Sequence, residues 1–295
     1  MRRVKVFVTG ATGVLGRATV PELIAAGHDV VAPGRTPEKR ALLRQAGAEA
    51  IECDVFDFAQ LAQAAAPCEA FVNLATHIPP PDKALFKSAW RENDRIRTEL
   101  SALAARVAQE DVREVLLRVL VQESIVMNYA DRGDQWIDEQ TSIQTTRPTA
   151  SAVKAEENAL GAARAGVRAV VLRFGVITAR GSVHDEYALA MAGRGIAPLL
   201  GSADAYLSQI SVEDAARAVV VALDAPTGIY NVTEDQPRTR GEIAAQLAAV
   251  AERENLRIFP GRLAPLLGRK RVGALARSQR VSNAKFKQAT GWSPR

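Results

Sequence analysis

At 295 residues, 47% hydrophobic and 24% charged, the chain has the make-up of a folded protein and not of a disordered one. That length suits one large α/β domain or two modest ones, and no apolar run approaches the ~18 residues a membrane span needs. The formal charge of +5 is uneven: residues 255–295 hold ten Arg or Lys and no Asp or Glu, whereas the first 254 carry 28 basic and 33 acidic residues.

Taken in chain order, Val4, Val6, Phe7 and Val8 predict a buried strand, and Arg2-Arg3 before them do not make a signal peptide because the apolar stretch is short. Gly10, Ala11, Thr12, Gly13, Val14, Leu15 and Gly16 follow as a glycine-rich turn, and a helix is predicted from Gly16 to about Ala26. Strand, glycine turn and helix start form the phosphate-binding unit of a dinucleotide fold. Gly10 permits the tight turn, Gly13 lets the backbone approach a diphosphate, and Gly16 lets helix and strand pack closely. The helix start adds unpaired N–H groups and a positive dipole.

Further strands are predicted at 28–35, 48–54, 68–75, 114–124 and 167–175, with helices at 37–46, 84–110 and 150–165. Continuous Val/Leu/Ile runs separated by helices indicate a parallel sheet covered on both faces. Residues 176–205 show little period. A helix over 211–225 is capped by Ser211, a strand follows at 228–234, and Thr239 with Glu242 forms a capping box for a helix over 239–253. The expected architecture is a doubly wound α/β parallel sheet of Rossmann type. Residues 1–175 form the dinucleotide-binding domain, 206–227 return to it, and 176–205 with 228–295 make a smaller substrate-binding region.

An acidic residue at the end of the second strand would favour NAD, but the chain has Ala32-Pro33-Gly34-Arg35 there. Arg35 is placed to meet a 2′-phosphate, which argues for NADP(H) over NAD(H), and Arg17 is a second candidate contact. Asp54 ends the third strand and could meet the adenine edge, and Leu74, Ala75 and Thr76 end the fourth on the side where ligands lie. Cys53 and Cys68 lack zinc or C-x-x-C spacing and read as reduced thiols in a cytoplasmic protein. His28, His77 and His184 lack acidic partners at ligand spacing, so no metal is expected. The basic tail reads as a solvated face or as a surface toward an anionic substrate. Nucleic acid is the weaker option because stacking aromatics are sparse there.

The chain resembles the extended short-chain dehydrogenase/reductase family, also called the NAD-dependent epimerase/dehydratase family, along nearly its whole length. The resemblance rests on the ordered motifs 9–16, Asp54-Val55, Asn73-Leu74-Ala75, Ser124, Val153-Lys154-Ala155-Glu156, Leu172-Arg173-Phe174-Gly175, Ile210 to Ala216, Gly228 to Val232, Ser282 to Lys285, and Gly291-Trp292. It implies hydride transfer between a nicotinamide and a carbonyl or carbinol carbon, with a tyrosine moving the proton and a lysine four residues later holding the ribose. Lys154 is then that lysine and Ser124 the hydroxyl that orients substrate, although one extra residue separates Ser124 from Tyr129. The family pattern also implies a homodimer formed through the helices at 84–110 and 150–165.

The chain departs from this pattern at Ala150, four residues before Lys154, and none of its eight lysines has a tyrosine four residues ahead. General acid–base catalysis is typically worth ~10²–10⁴ in rate. Tyr129 is the best substitute in the sequence; otherwise it packs the substrate pocket. Two functions are therefore expected: an oxidoreductase or epimerase-like enzyme for a small carbonyl, hydroxyl or sugar-like substrate, or an NADP(H)-binding redox sensor.

Overall fold

The computed structural model describes residues 2–84, 86–109, 117–163, 166–259 and 273–295. Part of the predicted strand at 114–124 and residues 260–272 of the basic tail lie outside them. Seven strands form one sheet: β1 Lys5–Thr9, β2 Asp29–Pro33, β3 Glu49–Ile51, β4 Ala70–Asn73, β5 Val119–Ile125, β6 Arg168–Phe174 and β7 Gly228–Val232. The spatial order is β7-β6-β5-β4-β1-β2-β3, and every pairing is parallel. Strand order reverses between β1 and β4, and the crevice beyond the carboxyl ends of such strands is where ligands bind in open α/β sheets.

Alternation along each strand divides the core in two. Val6, Val8, Val72, Val121 and Leu172 point to one face, where they meet α1 (Val14–Ala25) and α8 (Val212–Ala222). Phe7, Phe71, Leu120 and Val171 point to the other, against α3 (Phe58–Ala65), α5 (Ser101–Gln109) and α6 (Ala150–Ala162). Helix α3 escaped the sequence reading, yet Asp57 caps it by accepting from the N–H groups of Ala59 and Gln60. The caps expected at Ser211 and Thr239–Glu242 are present.

Two expectations are corrected. Residues 228–295 do not all belong to a smaller region, because β7 pairs with β6 in the central sheet. Helix α10 (Ala284–Thr290) also supplies Phe286, which with Trp292 fills the core on the α1/α8 side. Apolar side chains from the tail complete a core face that the first 227 residues leave uncovered. The single helix expected over 84–110 is instead a 3₁₀ turn at Lys87–Trp90, α4 at Arg91–Arg95, a π-helical turn at Ile96–Leu100 and then α5. Thr98 and Ser101 donate their hydroxyls to the carbonyls of Asp94 and Arg97, a back-bonding that loosens helical regularity.

The remaining elements close over the carboxyl edge of the sheet. They include α7 (Val183–Gly193), α9 (Arg240–Val250), and short strand pairs joining 176–178 to 209–211 and 136–137 to 280–281; α2 (Pro37–Gln45) instead packs on the α1/α8 face beside β3, with Leu43 in that core. No helix among the described residues is long and apolar enough to cross a membrane.

Candidate functional site

The glycine turn occupies the reversal point. Gly10 has a φ of +75°, and a Cβ there would lie 2.5 Å from the carbonyl carbon of Leu74 and 2.6 Å from Ala75 N. Only a glycine lets this turn rest on the backbone leaving β4, which brings together two segments selected separately from the sequence. A Cβ on Gly16 would sit 2.2 Å from the Gly10 carbonyl oxygen, so the first turn of α1 also packs backbone to backbone. Helix α1 begins at Gly13 without a side-chain cap or an acidic residue in its first turn. Its leading N–H groups are therefore left for an anion. Thr12 and Gly16 flank this cradle, Ala11 and Leu15 anchor it in the core, and Val14 is exposed.

Arg35 and Arg17 are exposed and make no ion pair with the described residues. Arg35 stands immediately before Thr36, which caps α2. Asp54 is exposed and closes a turn by accepting from Phe56 N at 3.0 Å, and Val55 packs at the edge of the α3 core. Leu74 is buried and Ala75 and Thr76 half-buried. Beneath them, Thr9 donates to Asn73 Oδ1 at 2.6 Å and Asn73 to Gln122 Oε1 at 2.9 Å, tying the carboxyl ends of β1, β4 and β5 together.

On α6, Ala150 and Lys154 share the exposed face, one turn apart. The Lys154 ammonium leans on Glu157 at 3.2 Å, both side chains more than half exposed, so the ion pair contributes little and the amine remains available.

Ser124 and Tyr129, the two hydroxyls expected from the sequence at the substrate, face the opposite way, into the interior. Each is 0% exposed. Ser124 donates to Glu156 Oε1 at 2.5 Å, and the same carboxylate takes both Nε and Nη2 of Arg173, at 2.8 and 2.6 Å. Arg173 Nη1 donates to the Tyr129 hydroxyl at 2.8 Å, which itself donates to Asn231 Oδ1 at 2.8 Å. Asn231 N donates to Glu139 at 2.7 Å. A cation on a buried strand must be paired, and its partners claim the two hydroxyls. Burial pushes the Tyr129 hydroxyl up to about 12, outweighing the pull of Arg173. Burial opposes the Arg173 cation, but Glu156 more than compensates and its pKa lies above the ordinary value. Burial also raises the Glu139 carboxyl, against the Asn231 N–H.

A second buried pair, Arg97 to Glu123 at 2.7 Å, lies where the π-helical turn crosses β5. Arg97 Nε and Nη1, Glu123 Oε2, the Asn128 amide and Ser151 Oγ have no hydrogen-bond partner among the described residues. The sequence reading missed Arg97, Glu123, Glu156 and Arg173 as a set. The available signal was charge inside apolar strands, Glu123 in one and Arg173 in another, because such residues are buried only when paired.

A seven-stranded parallel sheet with a glycine turn at its reversal point defines a dinucleotide-binding protein of the doubly wound class. The sequence matches the NAD dependent epimerase/dehydratase family over residues 6–233, and the chain belongs to that family, whose cofactor is a nicotinamide dinucleotide. A 3-diazoavenalumate denitrifying reductase of a Streptomyces species is 29% identical across 98% of this chain and 96% of its own. An epimerase family protein of Mycobacterium bovis is 26% identical over 88% and 83%. The same fold occurs in the human epimerase family protein SDR39U1, solved with NADPH (TM-score 0.76, 24% identity, 98% and 94% covered). It occurs also in UDP-glucose 4-epimerase of Thermus thermophilus with NAD (TM-score 0.76, 20% identity, 99% and 94% covered). The residues present fit the group: the start of α1 has no side-chain cap and no acidic residue in its first turn, so its leading N–H groups suit a diphosphate.

Proposed function

We propose that the chain is an NADP(H)-dependent reductase for a small substrate held over the carboxyl ends of β4 and β5. The observations that carry this reading are the backbone turn at Gly10–Gly16 and the exposed Lys154 on α6. The unpaired N–H groups of Val14, Leu15 and Gly16 would take the diphosphate, with Ala11, Thr12 and Gly13 shaping the turn. Arg35 would meet a 2′-phosphate and Arg17 would support it. Asp54 and Val55 would border the adenine, Leu74, Ala75 and Thr76 the nicotinamide side, and Lys154 would hydrogen-bond ribose hydroxyls. The bound nicotinamide would supply a hydride. The name of the Streptomyces relative supports a reductase and adds diazo compounds to the carbonyl, hydroxyl and sugar-like candidates.

A second reading, an NADP(H)-binding redox sensor without turnover, is favoured by Ala150. Calorimetry with NADPH and NADH, followed by a substrate panel read by loss of the reduced cofactor's absorbance, separates the two. Binding without substrate-dependent oxidation supports the sensor. For cofactor choice, losing a charge-assisted contact worth ~1.5–3 kcal/mol predicts that Arg35→Asp weakens NADPH about 10- to 150-fold relative to NADH. Unchanged selectivity removes Arg35 from that role.

A further inference from the structure

A hydride delivered to a neutral carbonyl creates an alkoxide, and in a dry site that charge must be met by a proton in the same event. The three positions that the family pattern offers for such a proton do not present one at the edge. The side chain at the position four residues before Lys154 is the methyl group of Ala150. The Ser124 proton is held by Glu156 and the Tyr129 proton by Asn231, both hydroxyls fully buried. The positions that do reach the carboxyl edge beyond β4 and β5 include three apolar ones: exposed Ile78 and half-buried Ile125 and Met127. Lys154, which would hold the cofactor, is thus in the open, while Ala150 offers no hydroxyl and those of Ser124 and Tyr129 are turned inward.

Resting on the hydride-transfer reading above, we infer that the acceptor reduced at this site already carries a positive charge, as an iminium or aryl diazonium ion does, so that hydride by itself completes the reaction. The electrons balance without a proton. At an iminium carbon the hydride pair forms the C–H bond and the C=N π pair settles on nitrogen, giving a neutral amine. At an aryl diazonium carbon the hydride pair forms the C–H bond and the C–N pair departs with dinitrogen. In each case the reduced nicotinamide is the reductant and the cation the oxidant. Rival proton sources among the described residues include the half-buried Thr76 hydroxyl and the exposed His77 imidazole, on the loop after β4, and the Lys154 ammonium.

The test uses the full chain with NADPH, whose binding is first measured by calorimetry. Three acceptors are compared: 2-methyl-3,4-dihydroisoquinolinium, 4-methoxybenzenediazonium, and neutral 1-tetralone, each corrected for the reaction without protein. At least one cation is expected to be reduced about 100-fold faster than the ketone. The rate should be level between pH 6 and 9, insensitive to heavy water, and unchanged in His77→Gln. With NADPH deuterated at C4, mass spectrometry of the product should place the deuterium on the reduced carbon, and ordinary NADPH in heavy water should leave that carbon unlabelled. The iminium and diazonium arms show which cation is preferred. Faster reduction of the ketone, or loss of turnover in His77→Gln, overturns this inference and leaves the reductase reading standing. NADPH binding with no acceptor reduced overturns the reductase reading itself, and this inference with it.

Discussion

Replacing Glu156 with Gln tests the buried network that turns Ser124 and Tyr129 away from the edge. Both side chains of the Glu156–Arg173 pair are 4% exposed. In the native arrangement Oε1 accepts from Ser124 and Arg173 Nε, while Oε2 accepts from Nη2 at 2.6 Å. In Glu156→Gln one oxygen can keep the first two bonds, but the new NH₂ faces the Nη2 donor, and the cation loses its counter-charge. Removing one partner of a buried pair costs ~3–5 kcal/mol. At about 2 °C per kcal/mol for a chain of this size, Tm should fall by roughly 6–10 °C. Urea unfolding followed by circular dichroism should show a lower midpoint at unchanged m-value. Combining Glu156→Leu with Arg173→Met removes both charges and should recover about a third to three fifths of the loss, short of full recovery because two hydroxyls lose partners at ~1 kcal/mol each. A loss below about 1 kcal/mol in Glu156→Gln, or a double variant worse than both singles together, refutes the reasoning.

Three further outcomes follow from the same geometry. With its folded pKa near 12 against 10 unfolded, Tyr129 supports stability below pH 10 and loses that support as pH rises toward 12; Tyr129→Phe should flatten this alkaline decline, worth on the order of 3 kcal/mol, and an identical slope in both proteins contradicts the assignment. Glu139 is protonated in both states at low pH, and its raised folded pKa makes the buried carboxylate a burden at neutral pH; Glu139→Gln should therefore raise Tm at pH 7 and match the parent below pH 4, and a lower Tm at pH 7 would show that Asn231 N needs the charge. Gly16→Ala puts a Cβ 2.2 Å from the Gly10 carbonyl; overpacking of ~1–3 kcal/mol should weaken NADPH by about 10- to 100-fold with helix content intact, and unaltered affinity would mean the cradle does not bear the diphosphate.

The sheet was legible because each strand is a local apolar run and burial on both faces leaves little else for such a run to do. The glycine turn was legible for a related reason: Gly10 and Gly16 are required by backbone contacts between neighbouring elements, so spacing alone exposes them. Asp57, the cap of α3, carried a signal as plain as Ser211, but its helix is only eight residues long and gives little period to read.

Ser124 and Tyr129 mark where that legibility stopped. Their residue types suit proton transfer, yet a side chain's direction depends on partners far along the chain. Arg173 lies 44 residues beyond Tyr129, and Asn231 lies 102. Likewise Phe286 and Trp292 join a core begun at Val6, which no local pattern announces. Sequence by itself determined most of the strands and helices, the dinucleotide turn and the alanine four residues before Lys154, all properties of short segments. Tertiary structure decided which polar groups meet the open edge and which are drawn inside, because a buried charge takes whatever partner the fold brings within reach.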